Sequence, residues 1–339
     1  MSTSEHSRSA ATVTMRDVAK AAGVSVTTVS HVVNEKPGVR IGEEARRRVH
    51  EAVAELGYRT NALAKTLSEG SSRFIGLVAD AIATTPFAGQ IIQGAQDQAW
   101  KHGYVLLVAN TDGNRAAEDE AIAMMLEHQV RGILYSTWYH REIQVPDALH
   151  QTDTVLVDCF ARGSGLPALV PDEEQGGRTA AEELLAAGHR RIAFINTTTP
   201  SPARTGRLAG YRSALEAAGI AFDESLVFPA APEQKGGYAA APRLLASGAT
   251  AVFCHNDRVA MGLYDGLREH GLRVPDDIAV IGFDNQEVIS AHLSPPLSTV
   301  ALPHYELGAA GVRLLIGAEP SSEPEVRRIA CPPVRRDSI

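Results

Sequence analysis

The stretch Thr14-Met-Arg-Asp-Val-Ala-Lys-Ala-Ala-Gly-Val-Ser-Val-Thr-Thr-Val-Ser-His-Val-Val-Asn34 decides how the start of this chain folds. Thr14 and Asp17 have the spacing of a capping box, in which a hydroxyl accepts an early backbone N–H and a carboxylate reaches back to the cap. Met15, Val18, Ala19 and Ala22 then recur at helical spacing and form one apolar face. Gly23 ends that helix, because glycine enters the left-handed region without steric cost. Ser25 caps a second helix, whose apolar stripe is Val29, Val32 and Val33. Two short helices about a glycine turn make a helix-turn-helix. The outward residues Val26, Thr27, Thr28, Ser30 and His31 are small, hydroxylated or imidazole, which suits entry of the helix start into a major groove. A third helix, predicted over Glu43–Leu56 and closed by Gly57, offers Val49, Val53 and Leu56 to cover the first two.

The rest of the 339 residues is unlike this segment. The formal net charge is −8, which alone speaks against nucleic acid. Its distribution reverses that: up to Arg73 there are 11 lysines and arginines against 8 acidic residues, and beyond it 21 against 32. A basic head on an acidic body fits a head that meets phosphate. A hydrophobic content of 44% supports sizeable cores. Cys159, Cys254 and Cys331 are widely spaced with no paired motif, so each reads as a small buried hydrophobe rather than a disulfide partner or metal ligand. Residues 1–12 read as a disordered polar tail without a signal-peptide core, and no apolar run is long enough to span a bilayer. A cytoplasmic protein with no membrane partner is the expectation.

After Arg73 apolar strand segments alternate with amphipathic helical ones. Strands are predicted near 74–80, 104–110, 132–136 and 154–158, with helices near 89–102 and 116–128 between them. A second series follows: helices near 173–187, 203–218, 237–247 and 258–270, and strands near 191–196, 226–228, 250–255 and 278–283. Such alternation predicts parallel sheets with helices on both faces, here two doubly wound subdomains with a ligand crevice at the strand C-terminal ends. No GxGxxG follows a strand, and no GxxxxGK[ST], GxSxG or HExxH occurs, so no catalytic residues, cofactor or metal are expected.

Residues 14–34 are similar to the headpiece signature of the LacI/GalR family of transcriptional regulators. Leu56-Gly-Tyr-Arg-Thr-Asn-Ala-Leu-Ala-Lys-Thr-Leu67 resembles that family's hinge, with Thr60 where proline is usual. Further resemblance lies in Gly188-His-Arg-Arg-Ile-Ala193, Arg207-Leu-Ala-Gly-Tyr211, Asn256-Asp-Arg-Val-Ala-Met-Gly262, Ile281-Gly-Phe-Asp-Asn285 and Leu293-Ser-Pro-Pro-Leu-Ser-Thr-Val300. The resemblance implies an all-α helix-turn-helix headpiece (13–58), a hinge helix and linker (59–73) and an α/β periplasmic-binding-protein-like core (74–339). The core would comprise an N-subdomain, about 74–170 and 301–327, and a C-subdomain, about 171–300 and 328–339. The implied function is a repressor controlled by a small molecule bound between the subdomains.

By position in the family motif, Val26, Thr27 and His31 are the base-reading candidates. Thr14, Ser25, Thr28, Ser30, Asn34, Tyr58, Asn61 and Ala64 complete the DNA-contacting set, several of them as phosphate ligands. Leu67 matches the leucine that wedges between central base pairs. A double-stranded, pseudo-palindromic operator then implies a homodimer, with the helix near 304–316 among its contact surfaces. Asp80, Asp158, Asn256 and Asp284 end or follow apolar strands, and with Arg207 and Phe87 they are the effector-binding candidates. Asp257 reads as the cap of the helix that follows it. Carboxylates and a planar guanidinium suit a hydroxyl-rich ligand, so a sugar is expected, with Trp138, Tyr139 and Phe160 available for stacking. Ser201 and Pro232 stand where purine-binding members carry an arginine and an aromatic, which turns the expectation away from a purine. The competing readings are a solute-binding protein of the same fold, a Rossmann-type enzyme, and a regulator with a non-sugar or protein effector.

Overall fold

Thr14 builds the predicted capping box: the Asp17 N–H donates to its hydroxyl at 3.4 Å, and its own N–H donates to the Asp17 carboxylate at 2.8 Å. That cap starts α1 (Met15–Ala22), which Gly23 closes at φ 61°. Ser25 Oγ accepts the Thr28 N–H at 3.0 Å and starts α2 (Val26–Val33). Gly42 precedes α3 (Glu43–Leu56) without any side-chain cap bond. The three helices bury Val18, Ala19, Ala22, Val29, Val32, Val49, Ala52 and Tyr58 against one another. The computed structural model describes residues 13–34, 39–58, 72–85, 88–319 and 325–339. The expected tail at 1–12 and the hinge residues Asn61, Ala64 and Leu67 lie outside the described residues, as does Phe87. The chain divides into two units, Met1–Ser72 and Arg73–Ile339.

The larger unit alternates strand and helix as its sequence pattern predicts. Its first half contains β1 (Phe74–Ala79), α4 (Gly89–Lys101), β2 (Val105–Asn110), α5 (Arg115–Glu127), β3 (Ile133–Glu142), β4 (Thr154–Phe160) and β5 (Ala168–Pro171). Its second half contains α6 (Glu173–Ala186), β6 (Ile192–Thr197), α7 (Pro202–Ala217), β7 (Val227–Ala230), α8 (Gln234–Ser247), β8 (Ala251–Cys254), α9 (Asp257–Glu269) and β9 (Ala279–Asp284). The chain closes with α10 (Glu287–Ser290), β10 (Ser298–Ala301), α11 (His304–Leu315), β11 (Val326–Ile329) and β12 (Pro333–Val334).

Two six-stranded sheets result, in the orders β11-β5-β4-β3-β1-β2 and β12-β10-β9-β8-β6-β7. All pairings are parallel except the short antiparallel β10–β12 pair. Every residue of β6, β8 and β9 is buried, as strands with helices on both faces must be. Phe194 and Phe253 stack at 4.4 Å between centroids in the second sheet's core. All three cysteines are buried thiols.

The helices lock together through reciprocal glycines. A Cβ on Gly94 of α4 would stand 1.9 Å from the Tyr305 carbonyl oxygen, and one on Gly308 of α11 2.0 Å from that of Ile91. Gly177 and Gly210 do the same for α6 and α7, and Gly237 and Gly262 for α8 and α9.

Three features depart from the sequence expectation. The chain changes sheets after β5, after β10 and after β11, and the last change follows Ile329 rather than residue 327, because β11 pairs with β5 as far as Ile329↔Pro171. α11 offers little surface to a second copy, since His304, Leu307, Gly308, Ala309, Ala310, Gly311, Val312 and Leu315 are buried within this chain. β3 does not stop at Ser136 but continues through an irregularity to Glu142.

Candidate effector cavity and DNA-reading helix

The irregularity in β3 shapes the cavity. Ser136 pairs with Val157 and Arg141 with Cys159, so Thr137, Trp138, Tyr139 and His140 stand opposite the single residue Asp158. Extra residues on one strand force it to bulge and re-aim its side chains. Asp80, at the end of β1, holds the bulge in place. Its Oδ1 accepts the N–H groups of Ala81 (2.6 Å) and Trp138 (2.9 Å), and its Oδ2 accepts Arg141 Nη2 (2.9 Å). Thr137 Oγ1 donates to the carbonyls of Tyr139 and Asp158. Asp80 itself does not line the cavity, so the structure gives it a supporting place rather than the expected ligand-facing one.

The bulge forms one wall of a cavity of about 280 Å³ at the C-terminal ends of both sheets. Trp138, Tyr139, His140 and Asp158 come from the first sheet, and Glu173, Thr197, Arg207, His255, Asn256 and Asp284 from the second half of the chain. Thr199, Ser201, Ala203, Pro232 and Arg258 also line it, with Leu302 and His304 from the crossover between the halves. Phe160, a stacking candidate, instead meets the His140 ring edge-on at 5.7 Å. Asp158 lies within β4, two residues before its end, and Asp284 is the last residue of β9; both have left-handed backbones, φ 58° and 98°. Polar residues held in that region mark places where the fold sustains strain, commonly at ligand sites.

Arg207 sits at the centre of the site, 3% exposed. Its guanidinium lies 3.6 Å above the Phe283 ring, its Nε donates to Glu173 Oε2 at 2.8 Å, and its Nη1 donates to the His255 carbonyl, with Asp284 Oδ1 at 3.5 Å. Burial opposes ionisation of Glu173, but Arg207 and His140 outweigh it and bring the carboxyl down to about 2. Asp158 is the opposite case. Burial, with Glu173, Asp284 and Asp80 nearby, pushes its carboxyl well above the usual range, and it makes no side-chain hydrogen bond or ion pair with the described residues. Burial also raises Asp284, although Arg207 counters it, and burial with the Arg207 charge pushes His255 far down.

Asn256 and Asp257 exchange the duties the sequence suggests for them. Asn256 caps α9, accepting the Val259 N–H at 2.9 Å while its Nδ2 donates to the Pro232 carbonyl at 3.1 Å. Asp257 is fully buried and ties the start of α10 to β10, accepting the Gln286 N–H and the Thr299 hydroxyl at 2.7 Å each. Asn256 still borders the cavity, with its amide already engaged.

In the smaller unit, Val26, Thr27 and Asn34 are exposed, and Thr28, Ser30 and His31 half-buried, along one side of α2. Ser25 Oγ is 2.8 Å from Thr28 Oγ1, and Asn34 Nδ2 donates to Ser30 Oγ at 3.4 Å. Val26 leaves 42% of its surface in solvent, an apolar residue with no packing reason to open a helix. Tyr58 is buried in the three-helix core, in contrast to the exposed members of the expected set.

Residues 14–61 match the family model for bacterial regulatory proteins of the lacI family, and residues 181–339 match a periplasmic binding protein-like domain. The HTH-type transcriptional repressor PurR of Vibrio atlanticus (strain LGP32) is 34% identical over 307 residues, spanning 89% of this chain and 91% of that protein. This chain belongs to the LacI family of transcriptional regulators. It is a DNA-binding regulator with the family's headpiece and two-subdomain α/β core. Among its LacI-family relatives, the ribose operon repressor of Haemophilus influenzae (strain ATCC 51907 / DSM 11121 / KW20 / Rd) is 32% identical over 334 residues, covering 96% of this chain and 98% of that protein. A lac repressor dimer bound to operator and the anti-inducer ONPF superposes with a TM-score of 0.76 at 27% identity, over 96% of this chain and 98% of that one.

The sequence had missed His140, Glu173, His255 and Arg258 as lining residues. Glu173 opens a helix and reads as an ordinary first-turn acid, His140 and His255 follow apolar runs without a motif of their own, and Arg258 lies in the 256–262 motif beside the residue singled out there. Among the described residues no helix is long and apolar enough to cross a membrane, and no group of three or more His, Cys, Asp or Glu is placed to hold a metal.

Proposed function

We propose that this LacI-family regulator acts in the cytoplasm as a homodimeric repressor, not as an enzyme, and that its effector is a neutral sugar seated in the cavity between the two sheets. The carrying observation is the cavity itself: polar groups from both halves of the chain surround about 280 Å³, the small end of ligand pockets and a fit for a monosaccharide. A LacI family regulator of Enterococcus faecium with bound ribose, 30% identical to this chain, and the ribose operon repressor among its relatives support the same class. Ser201 caps α7 and Pro232 brings no aromatic ring, which argues against a purine despite the likeness to PurR.

On the DNA side, Val26, Thr27 and His31 read bases, with the Val26 side chain suited to a thymine methyl. Thr14, Ser25, Thr28, Ser30 and Asn34 position the helix on phosphates. The hinge residues Asn61, Ala64 and Leu67 complete the reader. Val105 and Val108 are exposed on β2, the end strand of its sheet, and with the exposed Trp100 of α4 they supply an apolar face for the second protomer.

The test has two steps. Selection of duplexes from a random pool by the full chain should return a pseudo-palindrome. A thermal-shift screen with D-ribose, D-glucose, D-galactose and adenine should then give a sugar that raises Tm and changes affinity for the selected duplex. Stabilisation by adenine alone would reject the sugar reading, and selection of single half-sites would reject the dimer.

A further inference from the structure

The β3 bulge brings to the cavity one residue whose two ring nitrogens have different duties. His140 Nδ1 lies 3.4 Å from Glu173 Oε1, and both side chains are more than nine-tenths buried. This contact crosses the cleft, since His140 belongs to the first sheet and Glu173 opens the first helix of the second half. Glu173 is in turn tied to Arg207 at 2.8 Å. His140 Nε2 is buried and has no hydrogen-bond partner. The ring that carries it borders the cavity.

A carboxylate only accepts hydrogen bonds, so the nitrogen facing Glu173 must carry the proton. With a single proton on the ring, the other nitrogen presents a lone pair, the state that the test below reads. A buried acceptor without a partner is unfavourable, and a ligand that donates to it relieves that state only when bound. We propose that His140 is the specificity-determining residue of this cavity: it accepts a hydroxyl hydrogen of the effector at Nε2 while its Nδ1–H holds Glu173 across the cleft. This rests on the sugar reading above and deepens it. It also assigns the effector a feature, a free hydroxyl at the position facing the bulge, which an O-methylated sugar lacks. The same ring thus joins ligand contact to closure between the two halves.

The surroundings agree. His255 borders the cavity from the opposite wall with its Nδ1 also buried and unpartnered, and burial, helped by the Arg207 charge beside it, keeps its ring neutral. The lining sets Asp158, Glu173 and Asp284 beside Arg207 and Arg258, and a carboxylate or phosphate on the effector would have no hydrogen to give His140 Nε2.

The experiment uses the full chain labelled with ¹⁵N-histidine. In the absence of ligand, His140 should show the tautomer with its hydrogen on Nδ1, assigned by comparison with H140Q. Calorimetry follows with D-ribose, D-glucose and D-galactose, and with D-ribose 5-phosphate and D-glucuronate as anionic counterparts, in two buffers of different ionisation enthalpy. A neutral sugar should bind without net proton uptake, and its binding should shift the His140 Nε2 resonance. H140F should weaken that sugar at least tenfold. H140Q, whose amide can donate to Glu173 and accept from the ligand, should stay within about threefold of the parent. The anionic counterparts should bind at least tenfold more weakly than the neutral sugars. An Nε2–H tautomer in the free chain, unchanged affinity in H140F, or preferred binding of an anion with uptake of one proton would overturn the assignment. If no sugar of the panel binds, the sugar reading fails by itself, and the tautomer still decides the role of His140.

Discussion

At the residue scale, the cavity sets two carboxyl groups against each other. Glu173 is stabilised as an anion, so its folded value lies below its ordinary 4.5, at about 2. A depressed carboxyl contributes stability above its unfolded value and loses it as the pH falls through the folded one. The window here runs from about 4.5 down to about 2. Glu173→Gln leaves the Arg207 cation buried without its main partner and should cost roughly 3–5 kcal/mol at neutral pH. Urea midpoints of parent and variant, followed from pH 7 downward, should converge toward the acid end. Asp158 has the contrary sign: its raised carboxyl stabilises the fold below the unfolded value, and that contribution disappears as the pH rises through the folded one. Asp158→Asn should therefore raise stability at pH 7 by about 0.5–2 kcal/mol while weakening sugar binding, a trade common where a site is kept for a ligand. Equal denaturation midpoints would remove the argument that this carboxyl is held at a cost. On α2, Thr27→Ala or His31→Ala should cost about 1–3 kcal/mol in discrimination between selected and scrambled duplexes. Unchanged sequence preference in both would place base reading elsewhere.

At the scale of elements, Asp80 links sequence, bulge and ligand. It does not line the cavity, yet it accepts Trp138 N–H and Arg141 Nη2 and so fixes the segment that does. Asp80→Ala should weaken sugar binding severalfold with the headpiece helices unaltered, as measured by calorimetry and far-UV circular dichroism. Much of the element plan was legible in advance. The Thr14–Asp17 box, the Gly23 turn and the Ser25 cap are local chemistry that a sequence states outright. So are the long strand–helix alternations, because burial on both faces leaves continuous apolar runs. The β3 bulge was not legible. Trp138, Tyr139 and His140 break the apolar run after Ser136, and a strand that bulges reads in sequence like a strand that stops. β11 was missed for a related reason: Val326, Arg327, Arg328 and Ile329 are half-exposed or exposed at a sheet edge and carry no apolar run. The Asn256–Asp257 exchange turns on where the helix begins, and neighbouring Asx residues are both acceptable caps. Glu173 and His140 are 33 residues apart and meet only because the chain changes sheets between them.

At the scale of the molecule, the basic head and acidic body assign phosphate contact to one unit alone. Operator affinity should therefore fall steeply with salt, whereas sugar affinity should hardly change, since its proposed ligand is neutral. Parallel titrations between 50 and 200 mM salt would show the two slopes, and equal slopes would mean that charge outside the headpiece contributes to DNA binding. The reciprocal glycines bear on a different matter, how such a chain can move. Helices that touch backbone to backbone at Gly94 and Gly308, at Gly177 and Gly210, and at Gly237 and Gly262 have no side-chain layer between them to slide on. Shear inside either half is closed to them. What remains free to rotate is the set of three strands of chain that leave β5, β10 and β11, so each half must travel as a block about that triple hinge.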